Sequence, residues 1–317
     1  MTPKKREDAK RAQYIYGPVP SRRLGYSLGV DIIPYKICTF DCIYCQLGAT
    51  TRKTIARREY VESKEILRQI EDALSSGTAP DYITFSGSGE PTLNSRIGML
   101  IREIKNLTHT PIAVLTNSSL LFRTETRRDL LRADLLLPSL DAGRETTFQC
   151  VNRPHRSLHL RNILSGLMQL RKEYEGQIWL EVMLVSGVND SDEELKRLVE
   201  LMSAIEPDKV QLNTVVRPPT LESAQPLTSQ RLEEIRALFG SRCEIIPQFK
   251  GEERQRSGGI AEQEILAIVR RRPVTLSDIV NSLGLHRNEV IKHLKTLERK
   301  GMITSRAYKA SRYYEVS

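Results

Sequence analysis

Cys38, Cys42 and Cys45 place three thiols within eight positions at CxxxCxxC spacing, with Tyr44 immediately before the third. Soft sulfur ligands suit zinc, copper(I) or an iron–sulfur cluster. A structural zinc site closes with a fourth Cys or His nearby. Here the nearest histidine is His109, and the remaining cysteines are Cys150 and Cys243. Three ligands on a four-iron cluster leave one iron open to a substrate or cofactor, an arrangement that points to an enzyme. A second run, Ser86-Gly87-Ser88-Gly89-Glu90-Pro91-Thr92, follows a short apolar stretch at 82–85. Glycines there let backbone groups approach a ligand closely, and Glu90 offers a carboxylate that can orient an ammonium group or fix the loop.

The elements that must position these runs follow from periodicity. Residues 16–25 are rich in turn formers, and strands are expected at 27–33, 82–85, 112–115, 134–140, 178–185, 209–212 and 243–246. Helical spacing is found at 63–74, 94–104, 124–131, 158–174, 191–205 and 229–238. Strand and helix alternating six times imply a parallel sheet with helices outside it. Right-handed crossovers curve such a sheet into a full or partial barrel, whose active site lies at the carboxyl ends of the strands. Both chemistry-bearing runs fall at such ends.

The two motifs together resemble the radical S-adenosylmethionine (radical SAM) superfamily over about residues 27–246. The resemblance implies a [4Fe–4S] cluster held by Cys38, Cys42 and Cys45, with SAM chelating the open iron. One electron then cleaves SAM to methionine and a 5′-deoxyadenosyl radical that abstracts hydrogen from substrate. It further implies SAM contacts from Gly87, Gly89 and Glu90, from Tyr44 beneath the adenine, from Asn117 at the ribose, and from Ser139 and Asp141. A low-potential donor, flavodoxin or ferredoxin, is the implied partner. The run Gly17-Pro18-Val19-Pro20-Ser21-Arg22-Arg23-Leu24-Gly25 is similar to the branch related to tRNA wyosine-base synthases. Those enzymes carry an additional N-terminal cysteine set, absent from this chain, so the kinship implies radical chemistry without naming the substrate. Arg22, Arg23, Arg153 and Arg217 fall near strand ends or motif loops, where arginines can hold phosphate or carboxylate.

Beyond a polar, glycine-ended stretch the alternation stops. Helices are expected at 262–272, 276–283 and 286–300, then a hairpin at 302–316 with its tip at 306–311. That order resembles a winged helix-turn-helix, offering Arg287, Lys292 and Lys295 to a groove and Arg306, Lys309 and Arg312 to phosphates. The expected architecture is thus α/β: a partial (βα)6 TIM-like barrel at 1–250, a linker at 251–258 and a small winged-helix domain at 259–317.

Whole-chain properties agree with that scheme. The 317 residues carry a net charge of +9, of which +5 lies in residues 259–317. A second basic cluster, Lys4, Lys5, Arg6, Lys10 and Arg11, opens the chain. The surplus suits an anionic partner such as nucleic acid. Five cysteines, three of them clustered, do not read as a disulfide framework, and no apolar stretch approaches membrane length; a cytoplasmic enzyme is expected. The reading from another class is an iron–sulfur or SAM-sensing nucleic-acid-binding regulator without turnover.

Overall fold

The computed structural model describes residues 13–77, 79–246 and 261–317. The expected linker and the basic cluster at the start of the chain lie outside these residues. The chain opens with β1 (Ile15–Ser21), β2 (Gly25–Val30), a two-residue pair β3 (Ile37–Cys38) and β4 (Arg52–Lys53), then α1 (Ser63–Ser75), β5 (Tyr82–Phe85) and α2 (Ile97–Leu107). It continues through β6 (Ile112–Thr116), α3 (Thr124–Leu130), β7 (Leu135–Pro138), α4 (Glu145–Val151), α5 (Leu160–Glu173) and β8 (Gln177–Leu184). α6 (Asp192–Ile205), β9 (Lys209–Thr214), α7 (Ser229–Phe239) and β10 (Cys243–Ile245) complete the first unit.

The sheet order is β1-β2-β5-β6-β7-β8-β9-β10, parallel throughout except for β1, which pairs antiparallel with β2. Side chains alternate along each strand. One set, including Ile83, Phe85, Val114, Leu136, Leu180, Val182 and Leu212, packs against Ile66, Ile70, Leu100, Leu167, Leu198 and Ile235 of the helices. Each such fully buried aliphatic side chain contributes about 1.5–3 kcal/mol relative to exposure. On the other face Leu24, from the β1–β2 turn, packs with Ala113, Leu135 and Leu137. Arg23 in that same turn reaches Glu181 on β8 at 3.0 Å, and Arg22 reaches Asn213 on β9 at 3.4 Å. The sheet is therefore rolled, while its edges β1 and β10 are not hydrogen-bonded to each other.

Several expectations shift. Residues 16–25 are expected to be turn-rich, yet 15–21 form β1, which pairs with β2 on both sides of a register break at Gly17 and Pro18. The expected helix at 94–104 begins later, because residues 91–93 first make a single 3-10 turn and Asn94 bonds Ile32 O through its side chain. Helix α4 has no counterpart in the sequence reading; seven residues with Phe148 and Val151 as its apolar contacts give too short a pattern.

The C-terminal unit comprises α8 (Ala261–Val269), β11 (Val274–Thr275), α9 (Leu276–Leu283), α10 (Arg287–Arg299), β12 (Ile303–Tyr308) and β13 (Ser311–Val316). Thr275 and Asp278 cap α9 reciprocally. Ile265, Ile279, Val290, Leu294 and Ile303 form a core of their own. The strands pair in the order β11-β13-β12. The hairpin turns at Lys309 and Ala310, so Arg306 and Arg312 stand on the strands and not at the tip. This unit rests on β1 through α8 and α9, and Tyr313 Oη donates to Val216 O beyond β9 at 2.9 Å. It thus rests on the β1 edge of the sheet and touches the segment that follows β9.

Candidate active site

The cysteine loop leaves β2 at the carboxyl end of the parallel strands, as the fold requires. Its backbone is anchored on two sides. Ile43 N donates to Val151 O and Asp41 N to Asn152 O, at 3.0 Å each, at the end of α4. Leu221 N donates to Ile43 O at 3.0 Å and Thr220 Oγ1 to Cys45 O at 2.9 Å, from the segment after β9. Phe40 packs edge-on against Phe148, with ring centroids 5.4 Å apart. The short helix missed in the sequence is thus what seats the loop.

All three thiols are half-buried, and each has a nitrogen donor beside it. Lys36 Nζ lies 3.2 Å from Cys45 Sγ, Asn117 Nδ2 3.5 Å from Cys38 Sγ, and Asn152 Nδ2 3.5 Å from Cys42 Sγ. Burial, reinforced by the Glu90 carboxylate, pushes the Cys38 thiol up to about 12. Burial and Asp141 raise Cys42 well above its usual value. Without a metal these two sulfurs keep their protons near neutral pH; a bound metal takes them as thiolates and releases the protons. Cys150 is exposed on α4 and Cys243 is buried on β10, so neither belongs to the loop. Among the described residues no group of three His, Cys, Asp or Glu would hold a single metal ion. A four-iron cluster takes one thiolate per iron and does not need its ligands gathered around one atom. An all-sulfur, three-ligand donor set flanked by N–H donors fits such a cluster.

The second motif braces the first. Lys36 N donates to Ser88 O at 2.7 Å and Glu90 N to Ile37 O at 3.4 Å. Gly87 adopts φ +148°, and a Cβ there would lie 2.5 Å from the Asp31 carboxylate carbon. At Gly89 a Cβ would sit 2.0 Å from Ile37 O. Both glycines are therefore required by the protein's own close packing. Glu90 is 2 % exposed. Its carboxylate accepts from Thr92 N, Thr92 Oγ1, Thr116 Oγ1 and Asn117 N at 2.5–3.0 Å. Of the two roles the sequence allows, fixing the loop is the one this geometry performs; burial raises its pKa in spite of those bonds.

Asn117, Ser139 and Asp141 border one small cavity with Phe40, Phe148 and Asn152. Asn117 Nδ2 also donates to Thr39 Oγ1 at 2.8 Å. Asp141 accepts from Tyr44 Oη at 2.5 Å, Asn152 Nδ2 at 2.7 Å and Met183 N at 3.0 Å. Burial nonetheless lifts it to about 6. The Tyr44 phenol is thus tied to Asp141, which couples the cysteine loop to the carboxyl end of β7. Lys36, Thr39, Asp31 and Asn152 are the neighbours that sequence reasoning missed. They carry no motif of their own, and only the chain's return to the loop brings Asn152 near Cys42.

Arg153 is exposed on the rim, whereas Arg22, Arg23 and Arg217 turn inward. Arg287, Lys292, Lys295, Arg306, Lys309 and Arg312 are all exposed on the C-terminal unit, and Arg306 pairs with Glu315 at 3.2 Å. They stand on α10 and the β12–β13 hairpin.

Comparison with known proteins places the chain in a family. The profile of the Radical SAM superfamily matches residues 32–199. A protein of Brachyspira hyodysenteriae named GTPase Obg is 38% identical over 296 residues, covering 92% of this chain and 44% of that protein. The chain therefore spans less than half the length of that relative. The UPF0026 protein MJ1312 of Methanocaldococcus jannaschii is 35% identical over 286 residues, covering 88% of this chain and 85% of its own. The crystal structure of a radical SAM methyltransferase from Sphaerobacter thermophilus superposes with a TM-score of 0.53 at 20% identity, covering 69% of this chain and 65% of that one. That likeness is one of fold.

Proposed function

The chain belongs to the radical SAM superfamily, whose members are enzymes, and from that premise we propose that it uses SAM to start a radical reaction on a substrate carrying an abstractable hydrogen. The observation that carries the reading is the convergence of three thiols, each with a nitrogen donor beside it, on a loop braced by residues 87–91. When bound, a [4Fe–4S] cluster with one iron open to SAM supplies the electron that cleaves the sulfonium to a 5′-deoxyadenosyl radical. Cys38, Cys42 and Cys45 would hold it, while Lys36, Asn117 and Asn152 direct N–H groups at the sulfurs and so tune its potential. Backbone groups of residues 87–90 and the side chains of Asn117, Ser139 and Asp141 would contact SAM, with Tyr44 beneath the adenine. Flavodoxin or ferredoxin would deliver the electron.

An RNA base is the substrate that the basic C-terminal unit favours, acting as a winged helix-turn-helix with α10 toward a groove and the β12–β13 hairpin toward phosphates. The turn formers between Gly17 and Gly25 support kinship with the wyosine-synthase branch. One specific contact favours a second reading, a SAM-sensing regulator. Arg271 of the C-terminal unit pairs with Asp31, and Asp31 accepts from Ser88 Oγ at 2.5 Å. The two units are thereby joined at the residue that supports the glycine loop. No helix among the described residues is long and apolar enough to cross a membrane.

Turnover separates the readings. After anaerobic reconstitution with iron and sulfide, dithionite and SAM should yield 5′-deoxyadenosine, and Cys38→Ala should abolish it. SAM binding without any cleavage would favour the regulator; neither binding nor cleavage would sink both.

A further inference from the structure

Where the inner face of the sheet meets the C-terminal unit, three segments distant in sequence bring arginines together. Arg22 and Arg23 come from the β1–β2 turn, Arg217 from the segment after β9, and Arg272 from the residues before β11. Two carboxylates face them. Glu181 is taken by Arg23 at 3.0 Å and by Asn213 Nδ2 at 2.9 Å. Asp278 lies 3.8 Å from Arg217 and also accepts from Thr275 N at 3.0 Å as the cap of α9. Among the described residues, four guanidiniums thus share two carboxylates, both already engaged.

Among the described residues, the charge that remains has no partner of equal strength. Arg217 has a side chain only 10% exposed, and its buried Nε has no hydrogen-bond partner among the described residues. Arg22 reaches a neutral amide oxygen at 3.4 Å. The Arg217 charge, followed by burial, pushes Arg272 down to about 10, and burial with Arg23 brings Arg22 to about 10. Even so depressed, all stay cationic near neutral pH. Buried like charges of this kind are costly unless a counter-charge arrives. Clamping the C-terminal unit to the barrel accounts for Asp278 with Arg217, but not for Arg22 and Arg272.

The geometry points to Arg22, Arg217 and Arg272 as a binding site for an oxyanion group bearing about two negative charges, a phosphate ester or a dicarboxylate. Guanidinium forks match both by paired N–H donation. Glu181 stands on β8 two residues before Met183, whose N–H binds Asp141, so the arginines and Asp141 are tied to the same strand. An anionic end held here would leave the rest of a substrate directed toward the cysteine loop. Assigning the site to substrate rests on the radical SAM reading; the anion site itself does not.

The test uses the full chain without cluster or SAM, so its outcome is independent of 5′-deoxyadenosine release. Inorganic phosphate and malonate are titrated calorimetrically at ionic strength fixed with sodium chloride, against wild type, Arg217→Gln, Arg272→Gln and the surface control Arg102→Gln. Wild type should show one saturable site, weakened at least tenfold in both cluster variants and unchanged in the control. The tighter of the two anions identifies the group. Should the variants misfold, wild type alone decides: phosphate or malonate should raise its Tm beyond chloride at equal ionic strength. No saturable binding of either anion, or equal weakening in Arg102→Gln, overturns the proposal.

Discussion

At Glu90 both carboxylate oxygens are engaged by the protein itself, one by Thr92 and Thr116, the other by Asn117 N. Replacing the second oxygen with an amide nitrogen would set donor against donor at a buried backbone N–H. Glu90→Gln should therefore lose about 1–3 kcal/mol in denaturant unfolding; unchanged stability would contradict the bonding described. The same scale explains what was legible. CxxxCxxC and the 87–91 run are contiguous, and their chemistry can be read from spacing. Asn152, Lys36 and Asp31 reach the same site only through folding, and a single Asn, Lys or Asp has no pattern to betray it.

Between elements, the Arg271–Asp31 pair joins the C-terminal unit to the strand end that supports Gly87. Asp31 is 4 % exposed, and burial keeps its pKa above the usual carboxylate value even with Arg271 present. Arg271→Gln removes the cation and should cost on the order of 3 kcal/mol at neutral pH. The sign with pH follows: a carboxyl whose folded pKa is raised destabilises the fold as it ionises, so the deficit should grow as pH rises from acid toward neutral. A double-mutant cycle with Asp31→Asn should recover most of the loss; additive losses would mean that the pair is not coupled. Element types were readable where apolar periodicity ran long, as in α1, α5 and α6. β1 was hidden by its prolines and glycine, and α4 by its brevity.

At the scale of the molecule, a rolled sheet presents the cysteine loop at its carboxyl ends, and the C-terminal unit rests on its β1 edge. The alternation of strands and helices announced the first arrangement. The second could not be read, because the charges that join the units are single residues separated by most of the chain. The central claim is that three thiolates hold a cluster whose remaining iron is open to SAM. Its most direct test is the electron paramagnetic resonance spectrum of the reconstituted, reduced protein before and after SAM is added. The account predicts about four irons per chain, a [4Fe–4S] signal altered by SAM, and loss of that signal in Cys42→Ala. A chain that takes up one zinc instead, or a cluster signal indifferent to SAM, would contradict it.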